Sequence, residues 1–155
     1  MYQNKNNYEL GEKNQVHIVR DSFFFFYVYA MKKVISTEKA PKAIGPYSQA
    51  IEKNGFLFLS GQIPLNPLTG EVVSDAIEDQ VYQVFENISA VLQAADYTFD
   101  DIVKTTVFLT DMNNFSVVNS IYSNYFNSDF PARSAVAVRS LPKGVLVEIE
   151  VIAVK

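Results

Sequence analysis

The chain has 155 residues, 48% of them apolar and 19% charged, with a formal net charge of −4. That is one globular domain's worth of polypeptide, long enough for a sizeable core, and its acidic balance argues against a nucleic-acid partner held through phosphate contacts. Cysteine is absent, which excludes disulfides, thiolate catalysis and cysteine-based zinc sites.

The single histidine, His17, lies in the N-terminal segment, so neither a Ser-His-Asp triad nor a histidine metal centre is expected in the folded core. The six glycines form neither GxGxxG nor GxxxxGK[ST], and a phosphate cradle has no support. Chemistry is left to Arg, Glu, Tyr, Ser, Asn and backbone groups.

Residues 1–30 read as an N-terminal extension, disordered or accessory, ahead of a domain spanning 31–155. Met1 to Gln15 is Asn-rich and without periodicity. Phe23 to Met31 is a nine-residue apolar run, shorter than the roughly 20 residues a membrane span needs. It is badly placed for a signal peptide, and an extra strand or adhesive extension is the plainer reading. Organelle targeting stays open, with the cytoplasm as the default compartment, and Met31 is an alternative start.

Lys32 to Thr37 reads as a strand, and Ala40 to Pro46, with two prolines, as a loop. Tyr47 to Glu52 and Phe56 to Ser60 are strands joined through Asn54-Gly55, a strong hairpin signal. Gly61 to Gly70 is turn-rich. Ile77, Val81, Val84, Phe85, Ile88, Val91, Leu92 and Ala95 then recur at helical spacing, with Ser74 as the expected N-cap and Asp75, Glu78 and Asp79 in a solvated first turn. Ile102 to Thr110 is rich in β-branched residues and predicts a strand. Asp111 is placed to cap a second helix running through Phe126, with Phe115, Val118, Ile121, Tyr122 and Tyr125 on its inner face. Asn119 lies in this pattern, near enough to the core face to bond a neighbouring loop.

After Pro131, strict alternation puts Ala132, Ser134, Val136 and Val138 on one strand face and Arg133, Ala135 and Ala137 on the other. Both faces are otherwise small and apolar, which predicts a central, largely buried strand. An always-charged guanidinium there requires a carboxylate partner, a bound anion or a water-filled pocket. The last strand, Val145 to Val154, carries Glu148 and Glu150 on one face, and a hairpin after Ser140 to Gly144 would set them beside Arg133. Spacing alone leaves two readings level. One is a plain Arg–Glu ion pair; the other is an arginine that clamps a substrate carboxylate while a glutamate moves protons.

The order is β-β-β-α-β-α-β-β, an α+β chain whose two helices should stack on one face of a mixed sheet. The other face then lacks a helix, and an oligomer is expected to close it.

Several stretches, in chain order, resemble one family. They are Ala40-Pro41-x-Ala43-Ile44-Gly45-Pro46-Tyr47-Ser48-Gln49, Ser60-Gly61-Gln62-Ile63-Pro64, Asn66-Pro67-x-Thr69-Gly70, Asp101 to Phe108, Phe130-Pro131-Ala132-Arg133-Ser134 and Val147-Glu148-Ile149-Glu150. Together they are similar to the Rid family of reactive intermediate deaminases, also called the YjgF-like or L-PSP endoribonuclease family, over residues 31–155. The resemblance implies a chorismate-mutase-like subunit with a six-stranded sheet, a homotrimer with a central barrel, and sites between subunits. It implies hydrolysis of 2-imino acids (2-iminobutanoate, 2-iminopropanoate) to 2-oxo acids and ammonia, with no metal or cofactor. Carried across, Arg133 would hold the substrate carboxylate and Glu148 would orient or activate water. Tyr47, Ser60, Gly61 and Asn119 would line the pocket. The family often has cysteine two residues after the arginine; Ala135 stands here, so no thiol takes part. The alternatives that the family brings are an endoribonuclease or translation inhibitor, and a non-catalytic module that binds small molecules.

Overall fold

The computed structural model describes residues 31–126 and 129–155, together with the backbone of residues 17–20 and 26–29. Strands β1 (His17–Arg20) and β2 (Phe26–Tyr29) form a two-stranded antiparallel sheet of their own, with His17 opposite Tyr29. Part of the apolar run is thus a strand. The polar arm and the run's first residues, Phe23 to Phe25, lie outside the described residues.

The main sheet has six strands: β3 (Lys33–Ile35), β4 (Ala50–Lys53), β5 (Phe56–Gln62), β6 (Ile102–Leu109), β7 (Ala132–Ala137) and β8 (Val147–Val154). Their spatial order is β3-β4-β5-β8-β6-β7, with β6 and β7 parallel and every other pair antiparallel. The β4–β5 turn is the expected one. Asn54 and Gly55 both have positive φ, 54° and 78°, the backbone that a tight hairpin matching the sheet twist requires.

Helix α1 (Ile77–Ala94) buries Ile77, Val81, Val84, Phe85, Ile88, Val91 and Leu92 against the sheet. The Ser74 hydroxyl accepts from the Ala76 N–H (3.0 Å), one step ahead of the helix, and the N-cap itself is Ala76 with no side-chain cap. A missing cap costs about 1 kcal/mol, whereas each fully buried aliphatic or aromatic side chain contributes about 1.5–3 kcal/mol, so packing decides where α1 forms. Asp111 caps a 3₁₀ turn (Met112–Asn114) by accepting from the Asn113 N–H at 2.9 Å. Helix α2 (Phe115–Tyr122) follows, shorter than the spacing predicts, because the chain tightens into a second 3₁₀ turn at Ser123–Tyr125. That turn lets Tyr125 stack on Phe85, with ring centroids 4.1 Å apart and planes within 11°.

Both helices share one core with Leu57, Leu59, Val107, Leu109, Val147, Ile149, Val151 and Ala153, so they cover a single sheet face as expected. The opposite face is open and carries Val34, Phe56, Phe58 and Val136, each 44–57% exposed.

The placement of β7 differs from the expectation. It is an edge strand, and Ala132, Ser134, Val136 and Ala137 are exposed. The β7–β8 hairpin does not form, because β8 fills the gap between β5 and β6 and leaves β6 between Arg133's strand and the two glutamates. The physical reason is apolar payload. β8 offers Val147, Ile149, Val151 and Ala153 to the core, more surface to bury than the alanines of β7, and a central position buries it best.

The hairpin generates a stability prediction. A Cβ at Gly55 would sit 2.5 Å from the Lys155 carbonyl oxygen, on a backbone with φ of 78°. Gly55→Ala should therefore destabilise by about 2 kcal/mol or more, read as a lower urea midpoint with an unchanged denaturant slope.

Candidate active site

Period-two alternation sorts the candidate residues onto two sheet faces. Arg133 pairs with Thr105, which pairs with Val151, and all three face the helices. Glu148 pairs with Phe108, which pairs with Val136, three residues along from Arg133 and on the open face. Two strand spacings and three residues separate the two Cα atoms by on the order of 14 Å. The candidate residues therefore fall into two groups within the chain, two candidate half-sites and not one.

The first half-site surrounds Glu148. Between Leu59 and Gln62 the β5–β8 register slips by one residue, a bulge that holds Ser60 and Gly61. A Cβ at Gly61 would lie 2.8 Å from Cδ of Glu148, so glycine is what lets the carboxylate lie against the β5 backbone. The Ser60 hydroxyl donates to the Ser48 carbonyl (2.7 Å), and the Ser60 N–H donates to the Gln49 carbonyl (3.0 Å). These bonds moor the Tyr47 loop beside the bulge. Tyr47 does not begin a strand as expected; it sits in the loop, 53% exposed, its hydroxyl accepting from the Ile44 N–H at 3.4 Å. Burial pushes the Glu148 carboxyl above the usual carboxylate range, and the Glu150 carboxylate two residues away adds to the rise. Among the described residues neither glutamate is in an ion pair.

The second half-site surrounds Arg133. Nη2 donates to Oδ1 of Asn119 at 2.8 Å, and Cζ lies 4.6 Å from the ring centroid of Tyr122 and 5.3 Å from that of Phe115. Phe115, Asn119 and Tyr122 fall at i, i+4 and i+7 of α2, a single stripe facing the edge strand. Among the described residues no carboxylate forms an ion pair with Arg133. One of its five N–H donors is used by Asn119. A planar cation held between aromatic faces, with donors to spare, is suited to gripping a carboxylate through two parallel bonds.

Arg133 and Asn119 are thus brought together, as are Ser60, Gly61 and Glu148 with Tyr47 moored nearby. The roles of Phe115 and Tyr122 at Arg133 were not read from the sequence, where both count as core-facing positions. The signal that could have found them is their shared stripe with Asn119. Among the described residues no group of three or more His, Asp or Glu side chains is placed to hold a metal ion, and no helix is long and apolar enough to cross a membrane.

A testable consequence concerns pH and stability. With its folded pKa raised, Glu148 holds its proton more tightly in the folded chain than in the unfolded one. Its contribution is therefore most favourable below the unfolded value and is lost as pH rises through the folded one. Glu148→Gln does not titrate, so it should raise Tm relative to wild type at pH 7–8 and leave the difference smallest at pH 4, as measured by thermal melts across that range.

A family model described as Endoribonuclease L-PSP matches residues 37–155. The human protein named 2-iminobutanoate/2-iminopropanoate deaminase is 47% identical over 125 residues, 81% of this chain and 91% of that one. The crystal structure of a Rid-family protein of unknown function from Yersinia pestis superposes with a TM-score of 0.79 at 60% identity, over 81% of this chain and all of that one. The E. coli protein TdcF, solved with bound serine, gives a TM-score of 0.76 at 44% identity, over 79% and 98% of the two chains.

Proposed function

The chain belongs to the Endoribonuclease L-PSP family, which includes the Rid proteins, and from that premise we propose that it hydrolyses 2-imino acids such as 2-iminobutanoate and 2-iminopropanoate to 2-oxo acids and ammonia. The observation that carries the proposal is Arg133, a cation held by Asn119 and two aromatic rings, with no carboxylate in an ion pair with it among the described residues. Support for the reaction comes from the human relative's name, and support for carboxylate capture from the amino acid bound in TdcF.

In this reading Arg133 grips the substrate carboxylate and so places C2 of the imine. An iminium carbon is already electrophilic, so positioning, a water and one proton carrier suffice. Glu148 takes a proton from that water as its oxygen bonds to C2, and the C=N pair moves to nitrogen. The same carboxyl returns the proton to the nitrogen. The C–N bond then breaks, its electron pair leaving with ammonia, while the hydroxyl oxygen forms the C=O bond and gives its proton to the Glu148 carboxylate, so that the 2-oxo acid remains. A carboxyl with a raised pKa is suited to both halves of this exchange. Tyr47, Ser60 and Gly61 shape the pocket on the Glu148 side, and no cofactor enters. The cytoplasm is the proposed compartment, and the net charge of −4 does not favour RNA as the substrate.

The two half-sites lie on opposite sheet faces, so this chemistry needs a second copy to bring the Glu148 side of one chain to the Arg133 side of another. The open face bearing Val34, Phe56, Phe58 and Val136 supplies an apolar surface for that association. The proposed assembly is a homotrimer closed head to tail around a central barrel, with three sites between subunits.

With freshly generated 2-iminobutanoate and ammonia release as readout, Arg133→Ala and Glu148→Gln should each lose activity by about 10²–10⁴-fold. Equal rates for Arg133→Ala and wild type would defeat the assignment. Unfolding and refolding the two variants together in equal amounts should restore roughly a quarter of wild-type activity, because one site in four then pairs an intact arginine with an intact glutamate across a head-to-tail interface. No recovery would place both residues of each site on one chain. For wild type, kcat/KM should rise with pH through the elevated Glu148 pKa, and a pH profile tests this.

A further inference from the structure

Behind the arginine lies a buried polar pair that the proposed reaction does not use. Thr105 is 1% exposed and Tyr122 2%, and their hydroxyls are 2.9 Å apart. Thr105 is also the register partner of Arg133 on the neighbouring parallel strand, so its hydroxyl lies on the same sheet face as the guanidinium stem. Tyr122 arches over both. Its hydroxyl reaches β6 and its ring lies 4.6 Å from Cζ of Arg133 on β7. The same ring packs against the core, with Phe126 at 4.7 Å between centroids and Phe85 edge-on at 5.8 Å. The tyrosine is thus held at its hydroxyl by Thr105 and along its ring by Phe126 and Phe85.

We propose that Thr105 and Tyr122 are positioning residues for substrate capture. The Thr105 hydroxyl tethers the Tyr122 phenol so that its ring holds the Arg133 guanidinium in the one orientation that presents its free N–H edge to a carboxylate. The inference rests on the reading of Arg133 as the carboxylate site and names what pre-organises it. An arginine on an edge strand samples many rotamers, and each must be frozen out when ligand binds. A tethered ring, together with the Asn119 carbonyl that accepts from Nη2, does this before the ligand arrives. Burial keeps the Tyr122 phenol protonated by raising its pKa, a rise that the Thr105 bond and Arg133 oppose, so the ring meets the cation as a neutral π-face.

The competing account is that Thr105 merely satisfies a buried phenol, as any core tyrosine requires. The two accounts separate on kinetics. The carboxylate is held in ground state and transition state alike, so a loosened arginine raises KM and leaves kcat nearly in place. A purely structural tyrosine would instead lower Tm and the folded fraction, hence apparent kcat, with KM unmoved.

The experiment uses the full chain, with 2-oxobutanoate binding followed by calorimetry and steady-state turnover of 2-iminobutanoate. Tyr122→Leu, which removes the ring, should raise Kd and KM by about tenfold. Tyr122→Phe and Thr105→Val keep the shape and cut only the tether, and each should raise both constants by about threefold. The double variant should match either single, since both break the same bond. Wild-type Kd and KM in Tyr122→Phe and Thr105→Val, even with a lowered Tm, overturn the proposal, and these near-isosteric variants keep it testable should Tyr122→Leu not fold. Arg133→Ala is the control that tells the two ideas apart. If it binds 2-oxobutanoate like wild type, the carboxylate-site reading itself is overturned, whatever the tyrosine variants do.

Discussion

A guanidinium cannot shed its charge, and burying one without compensation costs several kcal/mol. Half-buried, Arg133 is tolerated because three side chains of α2 offset that cost: two ring faces, each contributing about 0.5–1 kcal/mol at so open a site, and one amide carbonyl. None of the three is anionic, so the positive charge remains available to a ligand. This arrangement depends on the edge position of β7. In a central strand, with neighbours on both sides, the guanidinium would be sealed against the core and would need a carboxylate of its own. At the edge it stays half in water and half against the aromatic stripe of α2.

The insertion of β8 between β5 and β6 determines the rest. It gives the core its Val147-Ile149-Val151-Ala153 stripe and, by the same alternation, turns Glu148 and Glu150 to the opposite face. Beside them the β5 bulge brings Gly61 against Glu148, withdrawing that carboxyl from water and raising its pKa. One strand thus creates a hydrophobic interior and a perturbed acid while keeping that acid away from the arginine. In the proposed reaction the separation has a use. A Glu148–Arg133 ion pair would lower the acid's pKa and occupy the donors that a substrate needs.

The aromatic cluster behind α2 links stability to the site. Phe85 on α1 stacks on Tyr125 and meets Tyr122 edge-on, and Tyr122 reaches both Thr105 and Arg133. Packing in the middle of the core therefore bears on the position of a side chain that touches Arg133, the proposed binding cation. A chain lacking Cys and with its one His in the N-terminal segment has few ways to build a site, and the proposed one uses Arg, Glu, Asn and aromatic groups.

Much of this was legible in residue order alone. The 3.6-residue spacing of Ile77 to Ala95 placed α1, Asn54-Gly55 placed the β4–β5 turn, and the run of β-branched residues placed β6, because each is a local backbone or periodicity preference. The motifs around Tyr47, Ser60-Gly61, Arg133 and Glu148 marked the candidate site and the family. What the order of residues did not determine was which strands are neighbours. Alanine-rich β7 reads the same at an edge as at a centre, so Arg133 was expected in the middle of the sheet beside two glutamates. The competition for the central position, decided by how much apolar area β8 and β7 can each bury, is a property of the whole sheet. So is the meeting of Tyr122, Thr105 and Arg133, which come from three separate elements. Local sequence determined the elements and marked the candidate residues; only the packed sheet decided which of those residues face one another, because pairing and burial are settled among segments far apart in the chain.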